Sequence, residues 1–297
     1  MQKVIAVVGP TAVGKSFFGV WLAKQIGGEI ISADSRQVYI GLDIGTGKMT
    51  AAEMNGVPHH LLSVADPKDT YTVADFLKAG RAAIEAVGAR GHFPIVVGGS
   101  GFYIDALLGK REIADVPPNK KLRKELEKVS LDALNVLLRK LDPARAETID
   151  AKNRVRLVRA IEIARTLGSV PNVSAQQSYS VFWVGIQPSQ NELYANIHAR
   201  LLARMKAGML EEARHLHATG LSFERMEELG LEYRFMATHL KGENSEKEML
   251  TELEKEIRKY AKRQMTWFKR NKEIQWFTAP HYPEILAQTE KYLNLNG

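Results

Sequence analysis

Gly9-Pro10-Thr11-Ala12-Val13-Gly14-Lys15-Ser16 is the stretch that decides the fold. It matches G-x-x-x-x-G-K-[ST], the P-loop pattern, and its flanks suit that reading. Lys3–Val8 (KVIAVV) before it reads as a buried strand, and Phe17–Ile26 (FFGVWLAKQI) after it as an amphipathic helix. Between a strand and a helix, the backbone N–H groups of Gly9 to Ser16 form an anion nest. Lys15 reaches the outer phosphates, the Ser16 hydroxyl suits Mg²⁺, and the helix N-terminus adds positive potential. The loop is therefore expected to grip a diphosphate or triphosphate. It does not say what becomes of that group.

Outward from the loop, strand and helix patterns alternate. Glu29–Ala33 (EIISA) reads as a second strand ending at Asp34-Ser35. Residues 73–90 read as a helix, with Phe76, Ala79, Ala83 and Val87 near a 3.6 period. Phe93–Val97 reads as a third strand, running into Gly98-Gly99-Ser100-Gly101. Apolar strands alternating with helices predict a parallel, doubly wound sheet, whose ligands sit at the carboxyl ends of its strands. Asp34, the glycine turn and the P-loop all fall at such ends.

Val116-Pro117-Pro118 breaks the pattern. Residues 120–127, 131–140 and 152–167 read as helices, and 168–179 as a polar loop. Phe182–Ile186 resumes a core strand. The expected architecture is α/β: a P-loop NTPase-like parallel sheet flanked by helices, formed by residues 1–114 and 181–297. Residues 115–180 form an all-helical insertion. Residues 191–219 read as one long helix or a pair hinged near Gly208, residues 246–272 as another long helix, and Ile274–Phe277 as a last short strand.

The 297 residues suit one large domain or two. No run approaches the ~20 apolar residues needed to cross a bilayer, and no charged-then-apolar leader is visible. The expectation is a cytoplasmic protein without a membrane partner. With no cysteine, disulfides, cysteine-ligated zinc and thiol catalysis are excluded. The formal net charge of +7 is unevenly spread. Residues 116–170 hold 13 Lys/Arg against 7 Asp/Glu, and residues 255–272 hold 8 against 1, leaving −6 for the remainder (7 − 6 − 7). Two basic segments on an acidic background point to a polyanionic partner, nucleic acid first; solvated lysine-rich helix faces are the plainer alternative.

Asp34 sits where a general base or metal-binding carboxylate belongs, although Asp-Ser is also ordinary helix-start chemistry. Ser35, Arg36, Gln37 and Tyr39 beside it could hydrogen-bond or stack on a base. The glycines around Ser100 allow close backbone approach to a ligand, or simply make a turn. Arg200 and Arg204 lie four apart on one helix face and could neutralise a leaving diphosphate, or could be a surface pair. Arg154, Arg156, Arg159 and Arg165 read as phosphate contacts or as a solvated face. The cations of 255–270, interleaved with Tyr260, Trp267 and Phe268, could dock on a nucleic-acid backbone while the aromatics anchor the helix. His59 and His60 lack partners at zinc-ligand spacing and read as structural.

Several blocks together resemble the tRNA dimethylallyltransferases (tRNA isopentenyltransferases). They are GPTAVGKS (9–16), ISADSRQVYIGLDIGTGK (31–48), GVPHHLL (56–62), VGGSGFY (97–103), RLVRAIEI (156–163) and YAKRQMTWFKR (260–270). They run in family order over nearly the whole chain, and the second and last are more specific than the P-loop. The resemblance implies transfer of a dimethylallyl group from dimethylallyl diphosphate to N6 of the adenine just 3′ of the anticodon, in tRNAs reading codons that begin with U. It implies that the P-loop, Gly9 to Ser16, holds the isoprenoid diphosphate, with Lys15 and Ser16 binding diphosphate and Mg²⁺. Asp34 would be the general base, with Thr11 and Arg200 on the bridging oxygen of the leaving group. Asp34, Ser35, Arg36 and Gln37 would contact the extruded adenine and its neighbours. Ser100, Arg123, Arg156 and Arg159 would touch tRNA, making the insertion a tRNA-binding domain. The enzyme would be a monomer of bacterial type, since no cysteine–histidine finger follows. Two places depart from the family pattern: Gly47 stands where alanine is usual, expected to be harmless, and Gly230-Leu231-Glu232-Tyr233-Arg234 matches its block loosely. A P-loop small-molecule or nucleotide kinase is the competing reading. It explains the loop and leaves the basic segments unexplained.

Overall fold

The computed structural model describes residues 1–111, 113–171, 179–278 and 282–295. It divides into two compact units, Met1–Gly109 with Gln177–Gly297, and Lys110–Gln176.

The larger unit is built on six parallel strands: β1 (Gln2–Val8), β2 (Gly28–Ser32), β3 (His59–His60), β4 (Phe93–Gly98), β5 (Tyr179–Ile186) and β6 (Gln275–Phe277). Their order is β3-β2-β4-β1-β5-β6. The chain starts mid-sheet and winds outward both ways, so β1 lies between β4 and β5 with Val8 opposite Gly98 and Gly185. Both faces of β1 are buried: Ile5 and Val7 pack into one apolar cluster, Val4, Ala6 and Val8 into another. That is why the strand reads as an unbroken apolar run.

The first helices are α1 (Lys15–Ile26), α2 (Ala51–Met54), α3 (Val73–Ala89) and α4 (Gly101–Leu107). Helix α3 starts at a capping box of Thr72 and Asp75. Its buried stripe is Phe76, Gly80, Ile84 and Val87, with Ala79 and Ala83, partly buried, packed against the same core. The smaller unit contains α5 (Lys120–Glu127), α6 (Leu131–Leu141), α7 (Pro143–Thr148) and α8 (Arg154–Leu167), around its own core of Leu122, Leu134, Leu138, Leu157 and Ile161. The short α7 was not expected; Asp142 caps it and Pro143 takes its first position. Residues 172–178 of the expected polar loop lie outside the described residues.

Helices α9 (Gln190–Lys206) and α10 (Met209–Ala218) are a pair, separated where Gly208 takes φ +97°. After them come α11 (Phe223–Glu228), α12 (Leu231–Leu240), α13 (Glu246–Phe268) and α14 (Tyr282–Leu293). Helix α13 stops at Phe268, short of the expected 272. Helices α9, α10, α12 and α13 share a third cluster with Val38, Tyr39 and Leu42, the segment that follows β2.

Candidate active site

The carboxyl ends of β1, β2 and β4 meet around one cavity of about 80 Å³. Thr11, Lys15, Ser16, Asp34, Gln37 and Arg200 all line it, so residues far apart in sequence converge. The P-loop turns through positive φ at Gly9 (+147°), Ala12 (+62°) and Gly14 (+80°). A Cβ on Gly9 would sit 2.4 Å from the Ile186 carbonyl oxygen, so only glycine lets the loop leave β1 this close to β5. Gly14 then caps α1 through its backbone, and Lys15 opens the helix.

Arg200, from α9, donates to the Thr11 hydroxyl at 3.2 Å and to the Gly47 carbonyl at 3.4 Å. Arg204, one turn on, donates to the Gly45 carbonyl and pairs with Glu232 at 3.2 Å. Burial and the neighbouring Arg204 lower the Arg200 pKa to about 10, so it keeps its charge at neutral pH. Burial, with Arg200 beside it and Asp34 only partly offsetting, lowers Lys15 to about 7. The site thus holds concentrated, poorly solvated positive charge that an anion would relieve.

Asp34 caps its own turn: Oδ1 accepts from the Arg36 and Gln37 N–H groups at 2.8 and 3.4 Å. The capped carboxylate also lines the cavity. The Ser35 N–H donates to the Ser100 hydroxyl at 3.2 Å, tying the β2 loop to the β4 loop. Gln37 reaches toward the Thr46 and Gly47 carbonyls.

Four supporting residues were not assigned from sequence. Gln264 of α13 is buried, accepts from the Thr11 N–H at 2.9 Å and donates to the Gly99 carbonyl at 2.9 Å, bracing the P-loop against the glycine turn. Tyr260, one turn earlier, lines the cavity. Glu212 of α10 accepts from the N–H groups of Asp43, Ile44 and Gly45 at 2.7–3.0 Å, and from the Tyr233 hydroxyl at 2.5 Å. His59 also lines the cavity; its Nδ1 lies 2.8 Å from the Val57 carbonyl, while its buried Nε2 has no partner among the described residues. His60, its neighbour in β3, is bonded to buried Glu29 at 2.6 Å, which also pairs with Arg90 and His92. The blocks at 31–48, 56–62 and 260–270 mark the segments that carry the 43–45 loop, His59, Tyr260 and Gln264, but not the contacts these residues make.

Gly47, at φ +61°, lies beside both arginines: a Cβ there would fall 2.3 Å from an Arg200 guanidinium nitrogen and 1.9 Å from one of Arg204, the far ends of flexible side chains.

In the smaller unit, Arg123 and Arg159 both bond the buried Glu162 carboxylate, and Arg159 also donates to the Val116 carbonyl. Burial pushes Glu162 up, but Arg123, the Asn119 N–H and Arg159 outweigh it and hold it near 2. Arg154 donates to the carbonyls of Leu126, Glu127 and Val129, closing the end of α5, which corrects its reading as a phosphate contact. Arg156 is exposed.

A second recess, of about 580 Å³, opens on the other side of the P-loop and shares Lys15, Ser16, Met49 and Arg200 with the cavity. A P-loop with a lysine and an arginine at one flank and a carboxylate at the other defines a P-loop group-transfer enzyme acting on a diphosphate or triphosphate. The family model for IPP transferase matches residues 37–271, and that for isopentenyl transferase residues 2–66. The chain belongs to the IPP transferase family. It is 38% identical to a tRNA dimethylallyltransferase of Anoxybacillus flavithermus over 93% of this chain and 90% of that one. It is equally identical to one of Shouchella clausii over 99% and 96%. The crystal structure of a full-length tRNA isopentenylpyrophosphate transferase from Bacillus halodurans is similar at TM-score 0.74 and 35% identity, covering 99% and 96% of the two chains. A eukaryotic dimethylallyltransferase acting on tRNA shares the fold at TM-score 0.82 and 23% identity, covering 100% of this chain and 81% of that one.

Proposed function

We propose that this protein transfers a dimethylallyl group from dimethylallyl diphosphate to N6 of the adenine 3′ of the anticodon, in tRNAs reading codons that begin with U. The observation that carries the reading is the Arg200–Thr11 contact across the P-loop, in a cavity that Asp34 also lines. The relatives' names supply the substrates. One chain furnishes every residue of the site, so the working unit is read as a monomer.

An aromatic amine is a poor nucleophile, so removing its proton as the bond forms lowers the barrier. Asp34 accepts that proton as N6 bonds to the allylic carbon. The carbon–oxygen bond to diphosphate breaks, and its electron pair leaves with the diphosphate. Thr11 and Arg200 stabilise the bridging oxygen, and Lys15 with the P-loop N–H groups holds the rest. Extruding the adenine costs a few kcal/mol, less in a loop whose bases are already partly unstacked.

The donor set suits Mg²⁺. Ser16 lines the cavity and offers a hard hydroxyl oxygen with no hydrogen-bond partner among the described residues. Magnesium commonly takes one or two protein oxygens and completes its shell with phosphate and water. Bound there with the diphosphate, it would neutralise charge on the leaving group.

A kinase reading uses the same loop but gives the apolar side of the cavity no task. Incubating the protein with unmodified tRNA and labelled dimethylallyl diphosphate, beside ATP with candidate acceptors, separates the two. Label is expected in tRNA; label only in products of ATP overturns the proposal. Asp34→Ala is expected to slow transfer by roughly 10²–10⁴-fold while tRNA binding stays near wild type. Near-normal transfer would remove Asp34 as the base.

A further inference from the structure

Opposite its polar rim, the cavity has an apolar floor of Ile30 and Val97, with Met49 and Leu62 beside them. Ile30 and Val97 lie on neighbouring strands, and the register sets Ile30 opposite Ile95 and Ser32 opposite Val97. Ile30 and Val97 therefore point to one face of the sheet, and both are buried, at 2% and 5% exposed. Helix α1 seals the floor from beneath. The helix comes close at Gly19, where a Cβ would lie 2.9 Å from Val97 Cγ2 and 3.6 Å from Ile30 Cδ1, so both side chains pack against it.

The size of this space matters. A cavity of about 150 Å³ takes benzene, or roughly 25 Å³ per carbon. At that ratio ten carbons would need roughly 250 Å³, far more than the 80 Å³ here, part of which faces the polar lining. The reacting carbon would lie between Arg200 and Asp34, with the branched end of the allyl group toward Ile30 and Val97. We propose that Ile30 and Val97 are a chain-length gauge, admitting a five-carbon allylic diphosphate and rejecting a ten-carbon one. The inference rests on the proposed prenyl transfer and adds which residues limit the donor.

Ile30→Ala removes three carbons from the floor and Val97→Ala two, together the five by which geranyl exceeds dimethylallyl. The test measures kcat/KM for dimethylallyl and geranyl diphosphates with the same tRNA, in wild type, each single variant and the pair. Wild type is expected to prefer the five-carbon donor by at least a hundredfold. Each truncation should narrow that ratio at least tenfold, mainly through gain with geranyl diphosphate. Should the pair not fold, the single variants and Leu62→Ala, at a half-buried position, carry the comparison. Equal use of both donors by wild type overturns the gauge, as does a ratio unchanged in folded variants while dimethylallyl transfer persists. A wild type that transfers from neither donor overturns the proposed function itself, and the gauge with it.

Discussion

At Lys15, burial sets the chemistry of a site residue far from its ordinary state. A lysine held at about 7 is only half charged at neutral pH, and its charge is what a diphosphate needs. A bound polyanion raises that pKa, so between the free and bound values binding must take up a proton. Affinity for inorganic diphosphate is therefore expected to fall as pH rises from 7 to 9, by up to tenfold per pH unit. Calorimetry at pH 8 in buffers of different ionisation enthalpy should report uptake approaching one proton. Lys15→Arg, which stays charged throughout this range, should lose the uptake. Uptake that persists in Lys15→Arg would place the titrating group elsewhere.

Among the elements, the segment after β2 depends most on distant parts of the chain. Glu212 gathers three successive N–H groups of residues 43–45, and Lys48 donates to the Tyr39 carbonyl, Asp43 and Ser63. The loop that presents Gly45 and Gly47 carbonyls to Arg204 and Arg200 is thereby fixed before any ligand arrives. Glu212→Ala leaves three N–H groups and the Tyr233 hydroxyl without their acceptor, at a cost of about 1–3 kcal/mol. Its urea midpoint should fall, and limited proteolysis should cut near residues 43–47; an unmoved midpoint would mean the loop holds itself. These ties also explain what could be read in advance. The P-loop announces itself because its chemistry is local, whereas Asp34 and Arg200 each left two readings open until the resemblance chose between them. Gln264 meets Thr11 across 253 residues, and Glu212 meets Asp43 across 169; no periodicity encodes such meetings. The same holds for two-residue β3, whose pairing with β2 is a fact of the sheet rather than of His59-His60. Gly208 was legible as a hinge, but its φ of +97° was needed to turn one possible helix into two.

Across the whole molecule, positive charge divides into cations already engaged and cations left over. On α13, Lys255, Arg258 and Lys259 pair with Glu252, Glu254 and Glu256, whereas Lys262 and Arg263, and Lys269 and Arg270 just past its end, form no ion pair among the described residues, Arg263 and Arg270 lying over the Tyr260 and Trp267 rings. In the smaller unit, Arg123 and Arg159 serve Glu162, and Arg156 stands exposed on α8. A raw count of basic residues thus overstates the charge free to meet a polyanion. If tRNA is held by the unengaged set, Arg156→Ala should weaken tRNA binding and lower the slope of log K against log salt by about 0.7–0.9 for each phosphate no longer neutralised, with melting temperature unchanged. Arg123→Ala should do the reverse. It leaves a buried carboxylate short of a partner, at a cost of about 1–3 kcal/mol, so melting temperature falls while the salt slope, measured below the transition, stays put. Because Glu162 is held near 2, the stability that its partners confer is present above the ordinary carboxylate range and is lost as pH falls from about 4.5 toward 2. The gap in melting temperature between wild type and Arg123→Ala should accordingly close over that interval. A salt slope that drops with Arg123→Ala while the melting temperature holds would assign Arg123 to the tRNA and leave Glu162 to Arg159 alone.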